Sequence, residues 1–177
     1  MESDRQLIDS INKGNADAFE TLYYRYRGWV YSLAWRFTGS QQDAQDVLQS
    51  AFTYLLEKFP GFELSCAMTT FLYPVVKNLS LKLLHSKKRF ISMQNNQIEL
   101  PVSEKPDANS SRAELAEVLA GLSRQHREVL LMRFVDDMMI SEIAEALNES
   151  VSTVKSRLYR ALELLRQDSR TKKYFLE

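Results

Sequence analysis

Residues 141–166, SEIAEALNESVSTVKSRLYRALELLR, carry two apolar stripes at helical spacing broken by one tight turn, a pattern few folds accept. Ile143, Ala144 and Leu147 sit at i, i+1 and i+4, the buried face of a short helix. Asn148 follows where the turn needs a residue tolerant of a left-handed backbone. Val151, Val154, Leu158, Ala161, Leu162 and Leu165 then share the stripe of a second helix. At about 100° per residue, the opposite face of that helix collects Ser152, Lys155, Ser156, Tyr159 and Arg160. Positive charge, hydroxyls and an aromatic ring near a helix N-terminus suit docking into a DNA major groove. There that end meets base edges, while Lys and Arg neutralise phosphates. The segment reads as a DNA-binding helix-turn-helix.

The rest of the chain is helical by the same criterion. With 5 Gly and 4 Pro in 177 residues and no useful strand alternation, an all-α fold is expected. Ser3 with Gln6 forms a capping box for a short helix that Gly14 ends. Residues 16–38 space Phe19, Leu22, Tyr23, Tyr26, Val30, Leu33 and Phe37 helically. Ser40 with Asp43 opens a third helix, to about Lys58, burying Ala44, Val47, Leu48, Ala51, Phe52, Leu55, Leu56 and Phe59, and Pro60-Gly61 breaks it. A fourth helix is expected between Thr70 and Arg89, ending in the basic run Lys87-Lys88-Arg89.

From Ile91 the composition turns to Asn, Gln, Ser and Pro, too polar to bury a core, which predicts a flexible linker. Ser111 with Glu114 caps a further helix with Leu115, Val118, Leu119 and Leu122 on one face. Residues 124–135, with Val129, Leu130, Leu131, Met132 and Phe134, are expected to form the second core. The predicted organisation is two small helical domains, 1–90 and 112–177, joined by a linker over 91–111.

Several function classes lose their footing. No metal-ligand cluster, glycine-rich phosphate loop or nucleophile–base set is visible, so neither an enzyme nor a cofactor or metal is expected. Cys66, the single cysteine, has neither His85 nor His126 near it in sequence, and its solitude fits a reducing cytoplasm. The N-terminal MESDRQLIDS lacks an apolar core, so no signal peptide is expected, and no run suggests a membrane span. The formal net charge of +0 argues against strong unaided DNA binding, because charge-driven affinity needs a basic excess.

The order of parts is recognisable. LSRQHREVLLMRFVDDMMISEIAEALNESVSTVKSRLYRALELLR resembles the promoter-binding domain of bacterial sigma factors, in particular the small two-domain extracytoplasmic-function group. AFETLYYRYRGWVYSLAWRFTGSQQDAQDVLQSAF is similar to that group's core-binding domain. The resemblance implies a cytoplasmic transcription initiation factor. Its first domain docks on the RNA polymerase clamp and captures the melted minus-ten element; its second reads the minus-thirty-five duplex and touches the polymerase flap. Core RNA polymerase and promoter DNA are then the partners, and polymerase supplies the affinity that a neutral chain lacks. Many relatives of this kind are held inactive by an anti-sigma protein, so the resemblance admits that partner too.

Carried over by position, the upstream-element surface comprises Ser152, Thr153, Lys155, Ser156, Arg157, Tyr159 and Arg160. Arg160 suits a bidentate contact to guanine and Lys155 a phosphate. For Arg157 a phosphate and an internal ion pair are equally open, and Glu163 in mid-face would repel DNA. Asp43, Asp46 and Gln49 belong by resemblance to the polymerase surface, where acidic groups suit a basic protein partner. Asp43 equally suits the helix dipole. Phe71, Tyr73, Lys77 and Asn78 are the residues of TTFLYPVVKN that could line the melted strand, and the loop at about 62–67 would capture a flipped base.

This chain departs from the family pattern in places. Phe71 stands where Trp is usual, Pro74 where a helix former is, and Asp137 and Met139 where Gly and a capping Ser tend to occur. Two other readings remain open: a stand-alone helix-turn-helix regulator, and a helical adaptor that sequesters a protein partner. Tight DNA binding by the free chain with a steep salt dependence would mark the first.

Overall fold

In a computed structural model, the described residues are 2–93 and 111–171, with side chains for 2–89 and 115–171; among them are eight helices and no strand. The chain divides into two compact units, Met1–Pro101 and Val102–Glu177. Most of the expected linker, and the side chains of the Ser111–Glu114 cap, lie outside the described residues. No described helix is long and apolar enough to cross a membrane.

The first unit holds α1 (Asp4–Asn12), α2 (Ala16–Thr38), α3 (Gln41–Leu56) and α4 (Met68–Met93). Its helix starts are set locally. Ser3 Oγ accepts from Gln6 N at 3.3 Å while Gln6 Oε1 accepts from Ser3 N at 2.8 Å. Asn15 caps α2, and Ser40 Oγ accepts from Asp43 N at 3.3 Å to open α3. Gly39 ends α2 at φ 66, a left-handed conformation that costs a residue without Cβ little.

The helices α3 and α4 pack against α2 and each other, while α1 packs on α2. Leu7, Ile8, Leu22, Leu33, Leu55, Met68, Leu72 and Val76 are buried between them. Leu56, expected in the buried stripe, is 51% exposed, because α3 ends there and no later turn covers it.

The fourth helix is longer than its expected limits at both ends. Pro74 therefore falls in its second turn, where it removes the donor to the Thr70 carbonyl and crowds that carbonyl, yet the helix continues to Met93. At the start of α1, Asp4 accepts from Arg25 Nη1 and from the Tyr26 hydroxyl, each at 2.5 Å. Burial, then the bond to Asp4, push the Tyr26 hydroxyl well above the usual phenol range, so it stays a neutral donor.

The second unit holds α5 (Ser111–Gly121), α6 (Arg124–Phe134), α7 (Ile140–Leu147) and α8 (Val151–Gln167), with α6 and α7 both packed on α8. Val129, Leu130 and Met132 of α6 are buried, as are Val118 and Leu122. Phe134, expected in the core, is 61% exposed, as is Val135. With the half-exposed Leu115 they edge an apolar groove of about 320 Å³. Arg127 donates to the carbonyls of Leu119, Ala120 and Leu122 at 2.7, 2.7 and 3.0 Å, satisfying acceptors where α5 ends.

The two departures before α7 have local consequences. Asp137 adopts φ 53, the left-handed conformation for which glycine is best suited. Met139 holds the N-cap position without a side-chain acceptor; only the return half of a capping box forms, Met139 N donating to Glu142 Oε2 at 2.7 Å. Asp137 gains little in exchange, since its carboxylate is 98% exposed and 3.4 Å from Arg133. Asp137→Gly is therefore expected to raise stability by about 0.5–1 kcal/mol. Urea unfolding of the whole chain, followed by helical circular dichroism, tests this; a midpoint that falls would show that the carboxylate outweighs the backbone strain.

Candidate nucleic-acid interface

The helix-turn-helix forms where the apolar stripes place it. Asn148 takes φ 53 and ψ 46, its N–H reaching back to the end of α7, and Glu149 N donates to Ala144 O at 2.9 Å. Ser150 caps the next helix, its Oγ accepting from Thr153 N at 3.0 Å and lying 2.8 Å from both the Ser152 and Thr153 hydroxyls. In α8, Val154, Leu158, Ala161 and Leu165 are buried. Val151 is 44% exposed instead. It lies about 50° from the centre of that stripe, in the first turn.

Fixing that buried face fixes the opposite one. Ser152, Lys155, Ser156, Tyr159 and Arg160 are all exposed, with the Tyr159 ring 67% so. Thr153 is half-buried at the margin, its hydroxyl engaged with Ser150. The guanidinium of Arg157 pairs with Glu149 at 2.9 Å across the turn. Arg160 is paired as well, to Glu163 one turn on at 2.6 Å, with both side chains about half exposed. So exposed a pair is weak, and stronger acceptors can displace it. The face thus offers Lys155 and Tyr159 directly and Arg160 at small cost.

In the first unit, the expected sets divide. Asp46 and Gln49 are exposed on α3, beside Ser50 and Thr53. Asp43 is 5% exposed, and its carboxylate accepts from Lys87 Nζ of α4 at 2.5 Å. An acidic group turned into the unit and neutralised there is no docking charge, which corrects its expected place on a partner surface. The basic run Lys87-Lys88-Arg89, expected to end α4 but lying inside it, thus contributes a structural cation.

Tyr73 is also corrected. It is 2% exposed, its ring edge-on to Phe37 at 6.2 Å, and so belongs to the core. Phe71 and Lys77 are half-buried and Asn78 is exposed. The Phe71 ring lies 5.0 Å from that of Phe62, which in turn lies 5.5 Å from Phe59. The two aromatic residues early in α4 therefore divide: Tyr73 lies in the core, Phe71 at the edge against the loop that follows α3.

That loop is held by a residue the sequence does not mark. Asn12, at the end of α1, accepts at Oδ1 from Gly61 N at 2.6 Å and from Phe62 N at 3.2 Å, and donates from Nδ2 to Phe62 O at 2.9 Å. An Asn one residue before a helix C-cap reads as local punctuation, and nothing in its neighbours points to a partner fifty residues away.

Two segments match described families: residues 22–90 match Sigma-70 region 2, and residues 112–165 match Sigma-70, region 4. The chain is 26% identical over 181 residues to the ECF RNA polymerase sigma factor SigW of Bacillus subtilis (strain 168), covering 94% of this chain and 96% of that one. To the RNA polymerase sigma factor SigV of the same organism it is 29% identical, covering 77% and 81%. Among solved structures, CnrH in complex with the cytosolic domain of CnrY is similar with a TM-score of 0.65 and 23% identity, over 92% of this chain and 94% of that one. The sigma factor RpoE of Bartonella quintana, solved with the anti-sigma factor NepR, also gives 0.65, with 17% identity over 84% and 94%. At such identities these structures support the helical fold alone.

Proposed function

The chain belongs to the sigma-70 family of RNA polymerase sigma factors, in its extracytoplasmic-function group, and from that premise we propose how its residues divide the work. It binds core RNA polymerase and directs promoter-specific initiation. The exposed face of α8 reads the minus-thirty-five element as duplex, and this is the observation that carries the division: polar and basic side chains gathered opposite a buried stripe, directly after the turn. Arg160 leaves Glu163 for a guanine edge, and Lys155 and Ser156 meet backbone and base. Arg157 keeps its pair with Glu149 and stabilises the turn rather than reading sequence.

In the first unit, Asp46 and Gln49 face the polymerase clamp. Phe71, Asn78 and the 57–67 loop receive the melted minus-ten strand, where unstacked bases find an aromatic edge. The apolar groove at Leu115, Phe134 and Val135 is the surface of the second unit that meets the polymerase flap, since exposed apolar surface of this kind is stabilised by a partner. The chain works in the cytoplasm, catalyses no reaction and needs no cofactor. An anti-sigma protein is a further partner on this reading, since the similar chain RpoE of Bartonella quintana was solved with one.

The test is capture of bacterial core polymerase by the purified chain, followed by transcription from a panel of promoters with the reconstituted complex. Binding with selective initiation is the expected result. Tight salt-sensitive DNA binding by the free chain, without polymerase, would favour a stand-alone regulator instead.

A further inference from the structure

We propose that Asn12 is a positioning residue for promoter melting: α1, through this one amide, holds the loop that captures the minus-ten base in its receiving conformation. The proposal rests on the reading of that loop given above. Its own support is geometric. The Asn12 amide grips Phe62 at both its N–H and its carbonyl, as a neighbouring strand would, and takes the Gly61 N–H as well. The two consecutive N–H groups converge on one oxygen because Gly61 adopts φ 98, which a side chain there would strain.

The clamp is anchored at its far end. Asp4 ties the start of α1 to Arg25 and Tyr26 of α2, and Leu7, Ile8 and Ile11 are buried. The position of Phe62 is therefore referenced to the core through a helix outside residues 22–90, the segment that matches the family. Phe62 in turn sets the loop against Phe71, the ring that edges the proposed strand path. A loop ordered in advance spends less of its contact energy on ordering when a base arrives. Loss of the clamp is thus a loss in capture, felt only when there is a base to capture.

That distinction supplies the test. Holoenzyme is reconstituted with the full chain, and open-complex yield is measured on promoters carrying single abasic sites along the non-template minus-ten strand. The wild-type chain is expected to show a penalty at one captured position. Asn12→Ala is expected to lower the yield about tenfold on the intact promoter and to add nothing further when that position is abasic, with core polymerase binding unchanged. Asn12→Asp, which keeps the acceptor but loses the donor to Phe62, should fall between; it also replaces Asn12→Ala in the comparison if that variant fails to fold.

An equal fractional loss on intact and abasic promoters would reduce Asn12 to ordinary structural support and overturn the proposal. A wild-type chain with no abasic penalty at any position would overturn the loop reading, and the proposal with it.

Discussion

Asp46→Arg is expected to weaken binding to core polymerase by about a hundredfold while leaving the unfolding midpoint unchanged. A charge reversed within an interface sets like charges together and costs several kcal/mol, whereas the same change on a solvated helix face costs almost nothing. Asp46 is exposed on α3, so it can make that contact without disturbing the core. Asp43, three residues earlier on the same helix, behaves oppositely. It is 5% exposed and paired with Lys87. Asp43→Ala should therefore leave polymerase affinity intact at permissive temperature and cost about 1–3 kcal/mol of stability, because it removes a buried, hydrogen-bonded carboxylate. A fluorescence competition assay for polymerase, paired with thermal unfolding of each variant, separates the two effects. Unchanged affinity in Asp46→Arg would leave that residue an ordinary solvated acid.

Arg160→Ala is expected to erase sequence discrimination at one base pair of the upstream element. A good bidentate contact to guanine is worth about 1–3 kcal/mol, about tenfold to a hundredfold in promoter preference. Breaking the exposed pair with Glu163 subtracts little from this, since such pairs contribute at most about 1 kcal/mol. Polymerase binding should not change, because Arg160 lies in the other unit from Asp46. The measurement is transcription from promoters mutated singly across the element. The expected signature is a flat response at one position with the others retained. If every promoter falls alike, Arg160 serves a phosphate instead; if none falls, it does not touch DNA.

The sequence could determine what is decided within a turn or two of chain. Apolar residues at 3.6-residue spacing lay out the stripes of α2, α3, α7 and α8, and Ser3, Ser40 and Asn148 each satisfy backbone groups only a few residues away. The reading face of α8 was legible for the same reason, since a helix buried on one stripe must expose the opposite one. The chemistry of Lys155, Tyr159 and Arg160 then follows from composition. Asn148 in its left-handed turn is local as well, and so is Asp137, whose strain could be suspected wherever relatives prefer glycine.

What only the tertiary structure decided is depth and distant partnership. Asp43 and Asp46 look alike in a helical projection that places one at the flank of the buried stripe; whether a flank is buried depends on α4 crossing there with Lys87. Tyr73 and Phe71 are two residues apart, yet one faces Phe37 across the core and the other Phe62 in the loop. Phe134 is as apolar as its buried neighbours, and the apolar run alone sent it inward, yet at the last residue of α6 it is 61% exposed among the described residues. Asn12 and Phe62 meet across fifty residues of chain. Local spacing encodes direction around a helix axis, while burial and long-range hydrogen bonds depend on which other helix arrives at that side, and that is a property of the packed unit.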